Sequence, residues 1–159
     1  MRRRGPRLPG WIGPAKNWAA ERGLADGITF VGPLPHDRVL DFLDTTDILV
    51  HPSLEESFGM TIAEAQLAGV AVIGGAHSGA VPWTLDYNRA GRLVDVRSTS
   101  SLAGAMRELA LDSATRSRLA RAGADLARQR HDPERLITAI EALLHAAAYD
   151  RRAKTDRTG

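Results

Sequence analysis

The chain has 159 residues, 43% hydrophobic and 25% charged, with a formal net charge of +2, which fits one soluble globular domain long enough to bury a core. It has no cysteine, which excludes disulfides and thiolate metal sites and fits a reducing, cytoplasmic setting. No apolar run approaches membrane-spanning length, and no signal-peptide core follows the basic start.

Charge crowds the two ends: Arg2, Arg3, Arg4 and Arg7 at one, Arg151, Arg152, Lys154 and Arg157 at the other. Basic tails can touch anionic lipid or nucleic acid. Neither tail interleaves aromatic residues with its arginines, and nothing between them resembles a nucleic-acid module. Both ends therefore read as solvated tails, no nucleic-acid partner is expected, and peripheral membrane contact is not indicated. Residues 1–14 hold three glycines and three prolines and read as a flexible basic linker.

From Pro14 to Leu24 the sequence predicts a short helix, with Trp18 on its apolar face and Gly23 near its end. Ile28 to Val31 reads as a buried strand stopped by Gly32-Pro33. Asp37 to Leu43 has helical spacing, and Ile48 to His51 reads as a second strand. Met60 to Ala68 reads as a helix closed by Gly69. Val70 to Ile73 is a third strand, ending in Gly74-Gly75, and Leu93-Val94 a short fourth. Helices follow. Leu102, Ala105, Met106 and Leu109 form one stripe, with Thr99 or Ser100 as cap. Asp112 caps the next helix, through Leu119, Ala122 and Leu126. Asp132-Pro133 starts the last, with Leu136, Ile140, Leu143 and Leu144 as its buried stripe. Short apolar strands alternating with helices predict an α/β fold: a Rossmann-like parallel sheet of about four strands flanked by helices, with a helical C-terminal segment.

In such sheets ligands sit at the carboxyl ends of the strands. His51 to Met60 and Gly74 to Val81 both lie at such ends. The first opens a helix, whose free N–H groups attract anions. Glu56 and Glu64 stand on either side of the S-F-G-M turn with seven residues between them. A carboxylate one turn into a helix can accept both hydrogen bonds of a sugar diol. The stretch points to a ligand anionic at one end and hydroxylated at the other.

The segments F-V-G-P-L (Phe30 to Leu34), T-D-I-L-V-H-P-S (Thr46 to Ser53), E-S-F-G-M-T-I-A-E-A (Glu56 to Ala65), A-G-V-A-V-I (Ala68 to Ile73) and A-G-R-L-V-D (Ala90 to Asp95) follow in that order. Together they resemble the donor-binding C-terminal domain of a retaining family 4 glycosyltransferase, whose GT-B architecture sets two Rossmann-like domains across a cleft. The resemblance covers roughly Gly23 to Tyr149. It implies a nucleoside diphosphate sugar as substrate, transfer of the sugar to an acceptor hydroxyl with retained anomeric configuration, and no cofactor or metal. By resemblance Glu56 is the catalytic-site carboxylate that holds hydroxyls of the transferred sugar, and Glu64 holds the ribose diol. Ser57, Phe58, Gly59 and Met60 complete the donor-binding set, with backbone amides along the sugar and diphosphate. The family's base pocket lies near the strand matching Phe30 to Gly32.

The family's donor domain also carries earlier strands, with a lysine and an arginine that neutralise the leaving diphosphate. Nothing from Met1 to Leu24 matches that segment, and Lys16 and the early arginines lie outside any motif. The expectation is a partial, N-terminally truncated donor domain over residues 15–149, with residues 150–159 a disordered tail, and weak or no transfer by the chain alone. A different class of function is a non-catalytic interaction module that pairs with a separate acceptor-domain chain. A third is an unrelated small α/β nucleotide binder, in which Glu64 would be immaterial. Other residues read more plainly. Glu55 is solvated. His51 is either a ligand contact or a hydrogen-bonded structural histidine. His77 and Ser78 lack the acid that would make them a nucleophile pair. Trp83 and Tyr87 could form a sugar-stacking surface, but read rather as packed under a loop.

Overall fold

A computed structural model describes residues 12–155, without the side chains of Ile12, Leu136 and residues 146–155. Arg2, Arg3, Arg4, Arg7 and Arg157 thus lie outside the described residues. The chain divides into two compact units, Met1–Phe42 and Leu43–Gly159.

In the first unit helix α1 spans Ile12–Glu21. Gly23, at φ +65°, ends it in the left-handed conformation that glycine adopts without strain. Its N–H reaches the Ala20 carbonyl at 3.1 Å, and the Leu24 N–H reaches Ala19 at 2.9 Å, the paired bonds that close a helix end. Trp18 is exposed, and Arg22 covers its ring at 4.6 Å from the centroid. Residues 28–31 are not a strand, against the expectation. Gly27 and Gly32, both at positive φ, bracket the run. The Ile28 N–H turns back to the Ala25 carbonyl. Ile28 and Val31 are about half exposed, and a strand with no ladder partner is not stable by its apolar character alone. Helix α2, His36–Leu43, follows.

The second unit is built on three parallel strands, β1 (Ile48–His51), β2 (Ala71–Gly75) and β3 (Arg92–Val94), in the order β1-β2-β3. The expected strand at residues 28–31 is the one missing, so among the described residues the sheet has three strands rather than about four. Helices α3 (Met60–Leu67), α4 (Val81–Thr84), α5 (Thr99–Leu111) and α6 (Ser113–Arg130) flank it. β2 is buried along its whole length, as expected for the middle of a covered parallel sheet. Ala71 and Ile73 share one core cluster with Ala105 and Leu109 of α5 and Leu119 of α6. Gly74 points the other way, toward Val81 and Leu85, in keeping with the two-residue alternation of a strand.

The ends of these helices follow the sequence closely. Gly69, at φ +75°, ends α3, with the Val70 N–H on the Ala65 carbonyl at 2.9 Å. Asp112 caps α6 by accepting the Thr115 N–H at 2.9 Å. That amide holds the Asp112 carboxyl below its ordinary range. The α5 cap is Ser98, not Thr99 or Ser100: its hydroxyl accepts the Ser101 N–H. Helix α7 spans Pro133–Thr155 and so runs on into the stretch read as a tail. Its first turn forms at Asp132-Pro133, with Asp132 accepting the Glu134 N–H. The expected buried stripe is absent where it is described: Ile140, Leu143 and Leu144 are all exposed. Helical spacing sets which residues share a face, but another element must cover that face to bury it.

Candidate functional site

The loop between β1 and α3 lies at the carboxyl end of β1. A second loop, after β2, holds it in place. The Ser78 hydroxyl donates to the Ser53 carbonyl at 2.6 Å, and the Ala80 N–H donates to the Glu56 carbonyl at 2.8 Å. Gly79, at φ +56°, sits so close that a β-carbon there would be 2.3 Å from the Glu56 carbonyl oxygen. At Gly75 a β-carbon would collide with Ser78. The glycines of G-G-A-H-S-G therefore make room for the neighbouring loop and for Ser78. Ser78 is buried with its hydroxyl on the Ser53 carbonyl, and His77 is exposed.

This packing presents Glu56 beside the start of α3. Its Oε1 accepts the Phe58 N–H at 3.3 Å, and its Oε2 lies 3.3 Å from His51 Nε2. The Phe58 and Gly59 amides hold the Glu56 carboxyl below the ordinary glutamate range; His51 adds a smaller effect, and partial burial opposes all three. Glu56 is thus an ionised, oriented acceptor. Two of the amides expected to run along a ligand, those of Phe58 and Gly59, face this carboxylate instead.

Gly59 begins α3 at φ +82° and offers no side-chain cap, and the first turn of α3 carries no acidic residue. The Met60 and Thr61 amides have no carbonyl within the helix to reach. No side chain caps the positive end of α3, an arrangement that favours an anion. Met60 is exposed. Glu64 is partly buried on α3, four residues after Met60 and so on the same face. Ser57 and Phe58 are exposed, and Glu55 is exposed as expected. The structure thus ties Glu56 to Phe58 and Gly59 directly, and sets Met60 and Glu64 along the helix that follows.

Several supporting residues have no local sequence signal. The Thr84 hydroxyl, buried, sits 3.1 Å from both the Phe58 and Ala80 carbonyls. Gln66, buried in α3, donates to the Thr84 and Ala90 carbonyls. A lone amide on the buried face of an alanine-rich helix was the one available hint. His131, after α6, meets the Phe58 ring edge-on at 5.8 Å. Trp83 and Tyr87, read as packed under a loop, are both substantially exposed. Arg130 lies 3.9 Å over the Trp83 ring and donates to its carbonyl, so an arginine rather than a loop covers that face.

Hollows elsewhere on the described surface are less suited to a donor. One of about 560 Å³ is lined by Asp86, Arg89, Asp125, Arg128, Asp132 and Arg135 among others, but those charges already pair with one another. Another, about 340 Å³, adjoins the Glu56 loop and is lined by Leu54, His77, Ser78, Asp95, Val96 and Arg97. Among the described residues no group of three or more His, Cys, Asp or Glu side chains could hold a metal ion, and no helix is long and apolar enough to cross a membrane.

Residues 13–126 match the family described as glycosyl transferases group 1. The chain belongs to that family. Among curated relatives of this glycosyl transferase chain, the D-inositol 3-phosphate glycosyltransferase of Mycolicibacterium vanbaalenii is 37% identical over 105 residues, which cover 65% of the chain and 23% of that protein. The chain therefore spans about a quarter of that relative's length. The C-terminal domain of the group 1 glycosyl transferase LpcC from Francisella tularensis superposes with a TM-score of 0.69 at 27% identity, over 80% of this chain and 65% of that one. Anabaena HepE, in a complex with UDP, gives a TM-score of 0.76 at 22% identity, over 86% of this chain and 37% of that one, and shows the shared fold. The parallel sheet flanked by helices is that of the GT-B glycosyltransferase structures.

Proposed function

We propose that this chain is the nucleotide-sugar-binding part of a retaining glycosyltransferase. Glu56 accepts hydrogen bonds from hydroxyls of the transferred sugar, and Glu64 accepts them from the ribose diol. The open amides at the start of α3 face the diphosphate, whose negative charge the helix end favours. Ser57, Phe58, Gly59 and Met60 lie along the donor between the two carboxylates. One observation carries the reading: the Glu56 carboxylate is kept ionised and aimed by backbone amides beside an uncapped helix start. An ionised, fixed carboxylate makes stronger hydrogen bonds to hydroxyls than a neutral acceptor does.

Transfer to an acceptor then requires a surface for that second substrate, supplied by a further domain or by a separate chain. Transfer by these 159 residues alone is expected to be weak or absent, because stabilising charge on the departing diphosphate is a large part of such catalysis. β1 is an edge of the three-stranded sheet and only half-buried. That edge favours a second reading, in which the chain serves as a non-catalytic module docked on an acceptor-domain chain. Co-purification with such a chain, with no loss of donor affinity in E56Q, would favour it.

The test is calorimetric titration of the chain with UDP-glucose, uridine being chosen because the Anabaena neighbour of like fold carries UDP. Glu64→Gln is expected to lose about 1–3 kcal/mol of binding, the worth of a hydrogen bond to a charged group. Unchanged affinity in that variant would remove Glu64 from the donor site; the unrelated small nucleotide binder is already set aside by the family match over residues 13–126.

A further inference from the structure

The donor-site reading assigns no part to His51, yet His51 lies beside the carboxylate at the centre of that reading. It is the last residue of β1 and stands in register with Gly74 of β2, which has no side chain to compete for the space. Its ring is 19% exposed and the Glu56 side chain 25%. Nε2 is fully buried and lies 3.3 Å from Glu56 Oε2, but off the line of a formed hydrogen bond. A buried ring nitrogen with a carboxylate at this distance and no aligned acceptor is an unfinished contact, since buried polar atoms are almost always paired. Contacts of this kind in unliganded sites are often long and tighten when the ligand arrives.

The two oxygens of Glu56 are divided between two supports. The Phe58 amide holds Oε1, and the amide's own position is fixed because the Thr84 hydroxyl bonds the Phe58 carbonyl. The Gly59 amide also faces the carboxylate, and His51 is the side chain against Oε2. Loss of the ring would leave the carboxylate held by backbone amides alone, with no side chain to check rotation about its soft terminal torsion.

We propose that His51 is a positioning residue for Glu56: its Nε2–H fixes Oε2, so that the carboxylate presents its remaining lone pairs to hydroxyls of the transferred sugar. The proposal rests on the donor-site reading above. It distinguishes the sugar from the nucleotide, because Glu56 touches only the former.

The experiment is titration of the full chain, and of its His51→Phe and His51→Gln variants, with UDP and with UDP-glucose. His51→Phe is expected to weaken UDP-glucose binding about five- to thirtyfold, the effect of one or two kcal/mol, and to leave UDP within about twofold. In His51→Gln an amide N–H₂ can occupy the place of Nε2, and UDP-glucose affinity is expected to return to within about threefold of the original. Equal losses for UDP and UDP-glucose in His51→Phe, or no loss for either, would overturn the positioning role and leave the donor site standing. An unaltered chain that binds neither ligand would overturn the donor-site reading, and the role of His51 with it.

Discussion

The floor of the site and its rim are built in opposite ways. The floor is β2 and the loop that leaves it, residues 71–80. Every residue of the strand is buried, and at Gly74, Gly75 and Gly79 a β-carbon would meet a neighbour at 2.6, 1.8 and 2.3 Å. The rim is residues 53–60, where Leu54, Glu55, Ser57, Phe58 and Met60 are exposed and a few backbone and hydroxyl hydrogen bonds hold the path. The floor cannot change without unfolding something, whereas the rim can change its chemistry on an unchanged support. Stability should therefore reside in one region and recognition in the other, and mutations should separate them.

The largest effect is expected in the floor. Ile73→Ala removes a fully buried side chain from the middle of the core cluster and should cost about 2–5 kcal/mol in urea unfolding. Next comes Gly79→Ala, which tests the seam between the regions. Its methyl group would press on the Glu56 carbonyl at a backbone angle that L-residues rarely adopt. About 1–3 kcal/mol of stability should be lost, and UDP-glucose binding should weaken as well, because the Glu56 backbone has to move. If Gly79→Ala changes stability alone, floor and rim are less closely joined than the 2.8 Å bond from Ala80 to Glu56 implies.

In the rim, Glu56→Gln should weaken UDP-glucose binding far more than it lowers the unfolding midpoint. The same carboxylate sets the pH response. Its folded pKa is lowered, chiefly by the Phe58 amide, so its contribution is present above the ordinary glutamate value and is lost as pH falls through the lowered one. UDP-glucose affinity should begin to fall on acidification at a lower pH than an ordinary glutamate would set. The smallest effect is expected for Met60→Ala, where an exposed side chain leaves the surface and stability should hold within about 0.5 kcal/mol.

The same contrast accounts for what the sequence could reveal. Local chemistry was legible: Gly69 after α3, Asp112 before α6 and Asp132-Pro133 before α7 each act within a few residues of themselves, and each forms as read. The strand–loop–helix path that carries Glu56 and Glu64 was legible for the same reason. Burial was not, because it depends on what arrives from elsewhere. Ile28 to Val31 is as apolar as Ala71 to Ile73, yet the first run forms no strand and the second is the centre of the sheet. Ile140, Leu143 and Leu144 have helical spacing and remain exposed. The Thr84, Ser78 and Gln66 hydrogen bonds that fix the rim span 18 to 26 residues of sequence, and no periodicity or motif foretells them.

The two acidic side chains of the S-F-G-M stretch are held to grasp one donor from opposite ends. A crystal structure of the chain soaked with UDP-glucose tests this most directly. Glu56 should lie within hydrogen-bond distance of the glucose hydroxyls and Glu64 within that distance of the ribose hydroxyls. A donor seated instead among Asp86, Arg89 and Asp125, or touching neither glutamate, would contradict the account.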